Sequence, residues 1–371
     1  MGCSRDNGLD GPEREMAVGN LISVGLVCGL DLGDKKSHLC LCTAEGEVLE
    51  QGQVPTTAAG LTRRFSRGPV MRIALETGTH SPWVSRLLRQ FGHEVLVANP
   101  RKVRLIGQSR RKNDRIDAHR LADLASVRPN LLYPIEHVSA EVQADRGVLR
   151  CREALVRSRS SLILHARGLV KAMGGRLPSC SSEAFARKAQ AAVPEALVIA
   201  LGPVLEQIAQ LCQRIRSYDQ KVVELIRTRY PQAQILMQVP GVGPLTSLAY
   251  VLCLGDPSRF RKSRQVGAYL GLVPAQRDSG QASPQLPISK EGNPFVRRLL
   301  VQCAHYILGR FGADSDLRRF GLALAVRGGK NGKKRAVIAV ARKLSVLLHH
   351  LWRSAQPYQA LRHPSELSQA A

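Results

Sequence analysis

Between residues 24 and 136 the chain reads as three β-like runs in succession, then as helices alternating with strands. No other feature restricts the fold as strongly. Val24 to Leu32, Ser37 to Thr43 and Glu47 to Val54 carry the apolar and β-branched residues of strands, with Ala44-Glu45-Gly46 as a turn between the second and third. A short helical stretch follows, then a buried-type strand from Met71 to Leu75 and a helix opening at Ser81-Pro82. A strand from Glu94 to Ala98 and a helix carrying Asp114 and Asp117 complete the unit. The pattern implies an α/β domain over residues 24–137, preceded by a polar, Gly-rich flexible tail at 1–23.

That element order is the order of an RNase H-like (RuvC-like) α/β fold, and it gives four acids a common location. Asp31 falls on the first, central strand; Glu76 falls just past the end of the fourth, its neighbour in such a sheet. Asp114 and Asp117 stand i, i+3 and project from one helix face. Carboxylate oxygens are hard ligands suited to magnesium or manganese, and a pair of such ions can stabilise both the attacking and leaving oxygens of a phosphoryl displacement. Taken singly, Asp31 is equally a strand-end turn residue and Asp114 a helix cap.

The charge balance points to a polyanionic partner. The 371 residues include 54 Lys plus Arg against 29 Asp plus Glu, a formal net charge of +25. Carboxylates in so basic a chain are compatible with bound phosphate when a cation stands between them. Between Arg101 and Arg120 eight cations (Arg101, Lys102, Arg104, Arg110, Arg111, Lys112, Arg115 and Arg120) surround two carboxylates, a surface that grips phosphates beside the acids. His119 is a proton donor or phosphate ligand in one reading and an ordinary surface histidine in the other. Nine scattered cysteines offer no tetrahedral zinc spacing and fit a reducing cytosol. The apolar stretch from Leu21 to Leu30 is too short to span a bilayer, so no membrane role is expected.

Residues 138–230 form a helical connector: a helix from about Ala140 to Met173, a Gly/Ser/Pro/Cys loop, and a helix from about Pro194 to Arg229. In the second helix Leu205, Ile208, Cys212, Ile215, Tyr218, Val222 and Leu225 recur every three or four residues, a seam of coiled-coil type. The seam serves oligomerisation or closes an antiparallel hairpin within the chain. Residues 231–371 read as a mainly α domain. Gly241-Val242-Gly243 links two helical runs like a helix-hairpin-helix element, whose turn lets backbone N–H groups approach a phosphate. Arg277, Lys290 and Arg297 lie around Ser279, which is in a Gly-flanked loop, and are expected to bind nucleic acid. Between Leu317 and Ser365 eleven cations and no acid occur, and Lys330, Lys333, Lys334 and Arg335 among them are expected to hold RNA or DNA backbone, with a solvated loop as the other reading. Only 4% of residues are aromatic, so electrostatics should outweigh base stacking.

Together GLDLGDKKSH, LETGTH, KNDRIDAHRLA, VPGVGPLTSLAY, YLGLVPAQRDSG and ISKEGNPFVRRLL resemble, in order, segments of the DEDD transposases of the bridge-RNA-guided insertion-sequence family. The resemblance implies a RuvC-like catalytic domain, a coiled-coil connector and a transposase domain with a nucleophilic serine. Carried over by position, the acids are Asp31, Glu76, Asp114 and Asp117, with magnesium or manganese as cofactor, and the serine is Ser279. Members often have Ser-Ser-Gly-Gly where this chain has Asp278-Ser279-Gly280-Gln281; chemistry survives if the second serine is the nucleophile.

The implied reaction is covalent: Ser279 attacks a phosphodiester, forms a phosphoseryl-DNA intermediate and frees a 3′-hydroxyl that later rejoins another strand. The implied partners are donor and target DNA, a guide (bridge) RNA from the element that reads sequence by base pairing, and further copies of the chain as a dimer or tetramer. The expected location is the bacterial cytoplasm, at the nucleoid. Two other classes stay open on the residues alone. A RuvC-like metal nuclease or junction resolvase would use water and not need Ser279, and a non-catalytic nucleic-acid-binding protein would not need Asp31.

Overall fold

A computed structural model describes residues 25–99, 103, 113–277 and 286–362, and the chain divides into two compact units after Ala140. The first contains β1 (Leu26–Asp31), β2 (Lys36–Thr43), β3 (Val48–Pro55), β4 (Arg72–Glu76) and β5 (Glu94–Ala98), with α1 (Ala58–Phe65), α2 (Ser81–Gln90) and α3 (Asp114–Val127). The sheet order is β3-β2-β1-β4-β5. β1, β2 and β3 form an antiparallel meander; β4 and β5 are parallel to β1 and to each other. This arrangement is compatible with an RNase H-like domain. Strand ends differ from the sequence reading by one or two residues, and Glu76 is the last residue of β4 rather than the residue after it.

β1 is central, and its interior residues are buried on both faces. Its pleat separates two cores. Cys28 and Leu30, with Ile73, Leu75, Val95 and Val97, pack with Leu61, Phe65, Val84 and Leu88 of α1 and α2. Val27, Ala74 and Ala98 pack instead with Leu121 and Ala125 of α3. Each large side chain fully withdrawn from water contributes about 1.5–3 kcal/mol, so both faces of the sheet are fixed by their helices.

The second unit is helical: α4 (Ala140–Ala172), α5 (Phe185–Gln190), α6 (Val198–Thr228), α7 (Ala233–Leu236), α8 (Pro244–Leu254), α9 (Gln265–Tyr269), α10 (Pro294–Leu308), α11 (Asp316–Arg327) and α12 (Gly332–Ser354). The seam of α6 is occupied within the chain. Leu201, Leu205 and Ile208 join Ile163, Ala166 and Val170 of α4 in one core, Arg159 Nη1 donates to Cys212 Sγ at 3.4 Å, and Arg152 pairs with Asp219 at 2.6 Å. As α4 numbers rise, their α6 partners fall, so the two helices form the antiparallel hairpin. By length and composition the stretch Glu195–Thr228 could cross a membrane; Leu201, Leu205, Ile208, Leu211, Cys212, Ile215, Val222 and Ile226 are buried, whereas Val198, Ile199 and Val223 are exposed. Tyr218 and Leu225, expected in the seam, are only half-buried, whereas Leu211 and Ile226 are buried.

A continuous core runs past Pro231. Val222 and Ile226 of α6 share it with Leu236, the buried α8, and Leu300, Leu344 and Leu348. Within it Asp145 is 4% exposed and accepts hydrogen bonds from Tyr230 Oη at 2.6 Å and Arg229 Nη1 at 2.8 Å.

Candidate active site

The β1–β4 register pairs Leu30 with Leu75, which puts Asp31 and Glu76 at the carboxyl ends of adjacent parallel strands. Ligand crevices in α/β sheets lie beyond such ends. Side-chain alternation then selects the face: Asp31 follows Val27 and Gly29, Glu76 follows Ala74, and all look toward α3.

Gly29 brings α3 onto that face. A Cβ there would lie 1.9 Å from the Ala118 carbonyl oxygen and 2.5 Å from the Ala122 nitrogen, so the helix backbone rests directly on the strand. Asp114 and Asp117 are in the first turn of α3, whose positive end favours carboxylates. The cap is Asn113, whose side chain accepts from the Arg115 N–H at 3.0 Å, so Asp114 is not the capping residue and its carboxylate remains exposed.

The electrostatics register the convergence. Asp31 is half-buried, and its carboxyl is pushed up to about 6, first by burial and then by the negative charges of Asp114, Asp117 and Glu76; His38 opposes the shift. His38 is the cross-strand partner of Asp31, and its Nε2 lies 3.1 Å from Gln53 Nε2 on β3. Sequence reasoning missed His38 and Gly29. The signal for His38 was its alternation within KKSHLC, which gains meaning only once the β1–β2 register is known. For Gly29 it was a glycine inside an otherwise apolar strand.

Among the described residues, no three His, Cys, Asp or Glu side chains stand close enough together to hold a metal ion as they are. The four acids share an electrostatic field more than a finished coordination shell. By chemistry the set fits a hard divalent cation, because it is all oxygen and because a cation would relieve the repulsion that raises Asp31. His119 is committed elsewhere, with Nδ1 2.9 Å from Asp123 on its own helix.

The basic residues divide. Arg101, Lys102, Arg104, Arg110, Arg111 and Lys112 lie outside the described residues, as do Asp278 and Ser279. Arg115 Nε donates to Gln51 of β3, and Arg120 stands 3.6 Å from Asp117. Arg297 serves structure: its Nη1 donates to the carbonyls of Leu270 at 3.0 Å and Glu291 at 2.6 Å, which ties down the start of α10. Arg277, Lys290, Lys330, Lys333, Lys334 and Arg335 are exposed. Residues 271–275 and 287–290 are clasped by Ala275 N to Pro287 O, Ser289 N to Val273 O and Lys290 N to Gly271 O, at 2.8–3.2 Å. Both ends of the segment containing Ser279 are thereby anchored.

The expected helix-hairpin-helix is reduced. α7 has four residues, and the body of α8 is buried in the core. The turn itself is accessible. Gly241 has φ +90° and faces the Tyr306 ring, which an added Cβ would approach to 2.6 Å; Gly243 caps α8 with extended backbone.

Comparison with known proteins decides the family. A family model described as "Transposase IS116/IS110/IS902 family" matches residues 233–320, and a model of DEDD transposases of the IS110 type, described as "Transposase", matches residues 28–174. The transposase for insertion sequence element IS1328 of Yersinia enterocolitica is 30% identical over 288 residues, covering 76% of this chain and 84% of the relative. The chain belongs to the IS116/IS110/IS902 transposase family. The transposase for insertion sequence element IS1111A of Coxiella burnetii is 28% identical over 346 residues, 90% of this chain and 91% of the relative. A probable family 20 transposase of Pseudomonas aeruginosa is 30% identical over 261 residues, 68% and 76% of the two chains. This insertion-sequence transposase is therefore a DNA-acting enzyme. All four acids fall within the match over residues 28–174 and Ser279 within that over residues 233–320.

Proposed function

We propose that this transposase cuts and rejoins DNA through a covalent phosphoserine intermediate, with the four carboxylates as its divalent-cation site and a guide RNA selecting the sequence. The observation that supports the cation site is the placement of Asp31 and Glu76 at the ends of adjacent parallel strands with Asp114 and Asp117 in the first turn of α3, where burial and then the other three acids push the Asp31 carboxyl up to about 6; the serine step and the guide RNA rest on the order of motifs in the sequence. Like charges so arranged disfavour the folded state unless a cation or substrate chemistry uses them.

Asp31, Glu76, Asp114 and Asp117 would hold magnesium or manganese. When bound, the ion supplies positive charge that neutralises phosphate oxygens at the reacting centre. Ser279 Oγ attacks phosphorus and gives up its proton. The bond from phosphorus to the 3′-oxygen breaks, the 3′-oxygen takes a proton, and the 5′-phosphate stays on the serine. A 3′-hydroxyl of another strand then attacks the phosphoserine, so the diester re-forms and the serine hydroxyl returns. The number of diester bonds is conserved and no external energy source is needed. Asp278 and Gln281 flank the nucleophile without replacing it. The exposed cations Arg277, Lys290, Lys330, Lys333, Lys334 and Arg335 and the accessible turn at Gly241 and Gly243 would hold nucleic-acid backbone, while base pairing by the guide RNA reads sequence. The reaction would take place on DNA at the bacterial nucleoid, with several copies of the chain assembled on donor and target.

The test is strand transfer between donor and target DNA with RNA transcribed from the element's flank and magnesium present. Wild type should give recombinant product and a denaturation-resistant protein-DNA adduct; Ser279→Ala should give neither, and Asp31→Ala should lose at least about 100-fold in rate, as expected when reacting groups are misplaced. Cleavage that survives Ser279→Ala and vanishes in Asp31→Ala would make the enzyme a water-using nuclease and overturn the covalent step.

A further inference from the structure

The second unit contains a groove that the acidic site and the serine do not explain. It runs between α11 and α12, the clasped segment before α10, and the chain that follows α12, with a volume of about 1230 Å³. Small-molecule pockets run to about 300–1,000 Å³, so the groove suits an extended ligand. Its floor is apolar. Leu286, Ile288, Phe320, Leu324, Ile338 and Val346 line it, and each is only half-buried.

The rim is cationic. Arg264, Lys334, Arg335, Arg342, Lys343 and Arg362 line the groove against one carboxylate, Asp316, and Asp316 Oδ2 is already engaged by the Arg362 backbone N–H at 2.9 Å. Lys343 places its Nζ 3.6 Å over the Phe320 ring. No ion pair joins Arg264, Lys334, Arg335 or Arg342 to another described residue. Along α12 the pairs Lys334/Arg335 and Arg342/Lys343 are eight residues apart, about 12 Å at 1.5 Å per residue. That spacing is too wide for a single carboxylate and suits separate anions along a chain.

We propose that this groove holds an unpaired stretch of DNA, its bases against the apolar floor and its phosphates on the rim cations. The occupant follows by elimination on charge and polarity. A second copy of a chain carrying a net charge of +25 would be repelled by a cationic rim. Duplex DNA presents phosphates and groove edges, so its bases could not cover the floor. An unpaired strand exposes base faces that gain from apolar burial, while its backbone meets the cations. An RNA strand offers the same base faces and phosphates with one more hydroxyl on each sugar; DNA is the strand that family membership supplies, and the experiment below separates the two. The inference rests on DNA being the substrate, which family membership establishes, and does not depend on the acidic site or on Ser279. For a transposase it assigns a place to a strand separated from its complement.

The experiment uses the full-length protein in EDTA, so that binding is read without cleavage. Fluorescence anisotropy is measured with a 12-nucleotide DNA strand, its duplex, and the RNA of the same sequence, for wild type, Ile338→Asn/Val346→Asn and Arg335→Ala/Arg342→Ala. The floor variant should weaken single-stranded DNA at least tenfold and change duplex affinity less than twofold. The duplex value also shows that the variant is folded. The rim variant should weaken the single strand and flatten its salt dependence. In wild type, a strand carrying 5-iododeoxyuridine should photocrosslink to peptides containing Phe320 or Tyr358, which both line the groove. Equal losses for single strand and duplex, RNA binding as tight as DNA and equally sensitive to the floor variant, crosslinks mapping elsewhere, or a floor variant that alters only self-association would each overturn the proposal. Because nothing is cleaved, such a result leaves the strand-transfer test of Ser279 and Asp31 untouched, and failure of that test leaves this one standing.

Discussion

Replacing Gly29 by alanine should displace α3 and disable the acidic site without touching an acid. The new Cβ would lie 1.9 Å from the Ala118 carbonyl oxygen and 2.5 Å from the Ala122 nitrogen, whereas carbon and carbonyl oxygen settle at about 3.3–3.6 Å. The helix must therefore back away by roughly 1.5 Å, or β1 must bend, since both obstacles are backbone and no side chain can swing aside. Overpacking of this kind costs about 1–3 kcal/mol, and the absence of a yielding group puts Gly29→Ala at the upper end. Thermal unfolding should then fall by an amount on the order of 10 °C. A shift of about 1 Å in catalytic groups costs on the order of 100-fold in rate, so strand transfer should fall by at least that much at temperatures where the variant is folded. Gly25→Ala is the control, because its added Cβ meets nothing within 4 Å. If Gly29→Ala melted within about 2 °C of wild type and kept its activity, the seating of α3 on β1 would be wrong and so would the geometry derived from it.

Two further predictions concern stability. Asp31 is held at about 6 in the folded protein against 3.8 for the free group, so the folded state binds the extra proton. Its contribution is fully present below about 3.8 and is lost as pH rises through about 6. Asp31→Asn should therefore raise Tm relative to wild type above pH 6 in EDTA, with the difference vanishing below pH 4; magnesium should raise the wild-type Tm and leave the variant unmoved. Equal pH dependence in the two proteins would show that neither burial nor the other acids raises the Asp31 carboxyl. Tyr230→Phe removes the donor to Asp145 Oδ2, a bond of 2.6 Å to a carboxylate 4% exposed. Leaving that oxygen unpaired should cost about 1–3 kcal/mol, read as a lower urea midpoint with unchanged slope; an unchanged midpoint would mean that water reaches Asp145.

The sequence by itself determined the succession of strands and helices along the first unit, the strand that carries Asp31, and the pairing of Asp114 with Asp117 on one helix face. These are local consequences of period-two and period-3.6 patterning. It also carried the motifs that place the chain in its family. It left the seam of α6 between two readings, because an apolar stripe records that something covers it and not what; the α4 partners Ile163, Ala166 and Val170 closed the question. It assigned Arg297 to nucleic acid, although the side chain is used by carbonyls at Leu270 and Glu291 that become neighbours only after folding. Gly29, His38 and the groove beside α12 were likewise invisible, since each depends on what lies opposite: a helix backbone, a cross-strand acid, or the gap between two helices. Side-chain periodicity is a property of the chain, whereas register, close approach and enclosed volume are properties of pairs of segments, and only the tertiary structure decides those.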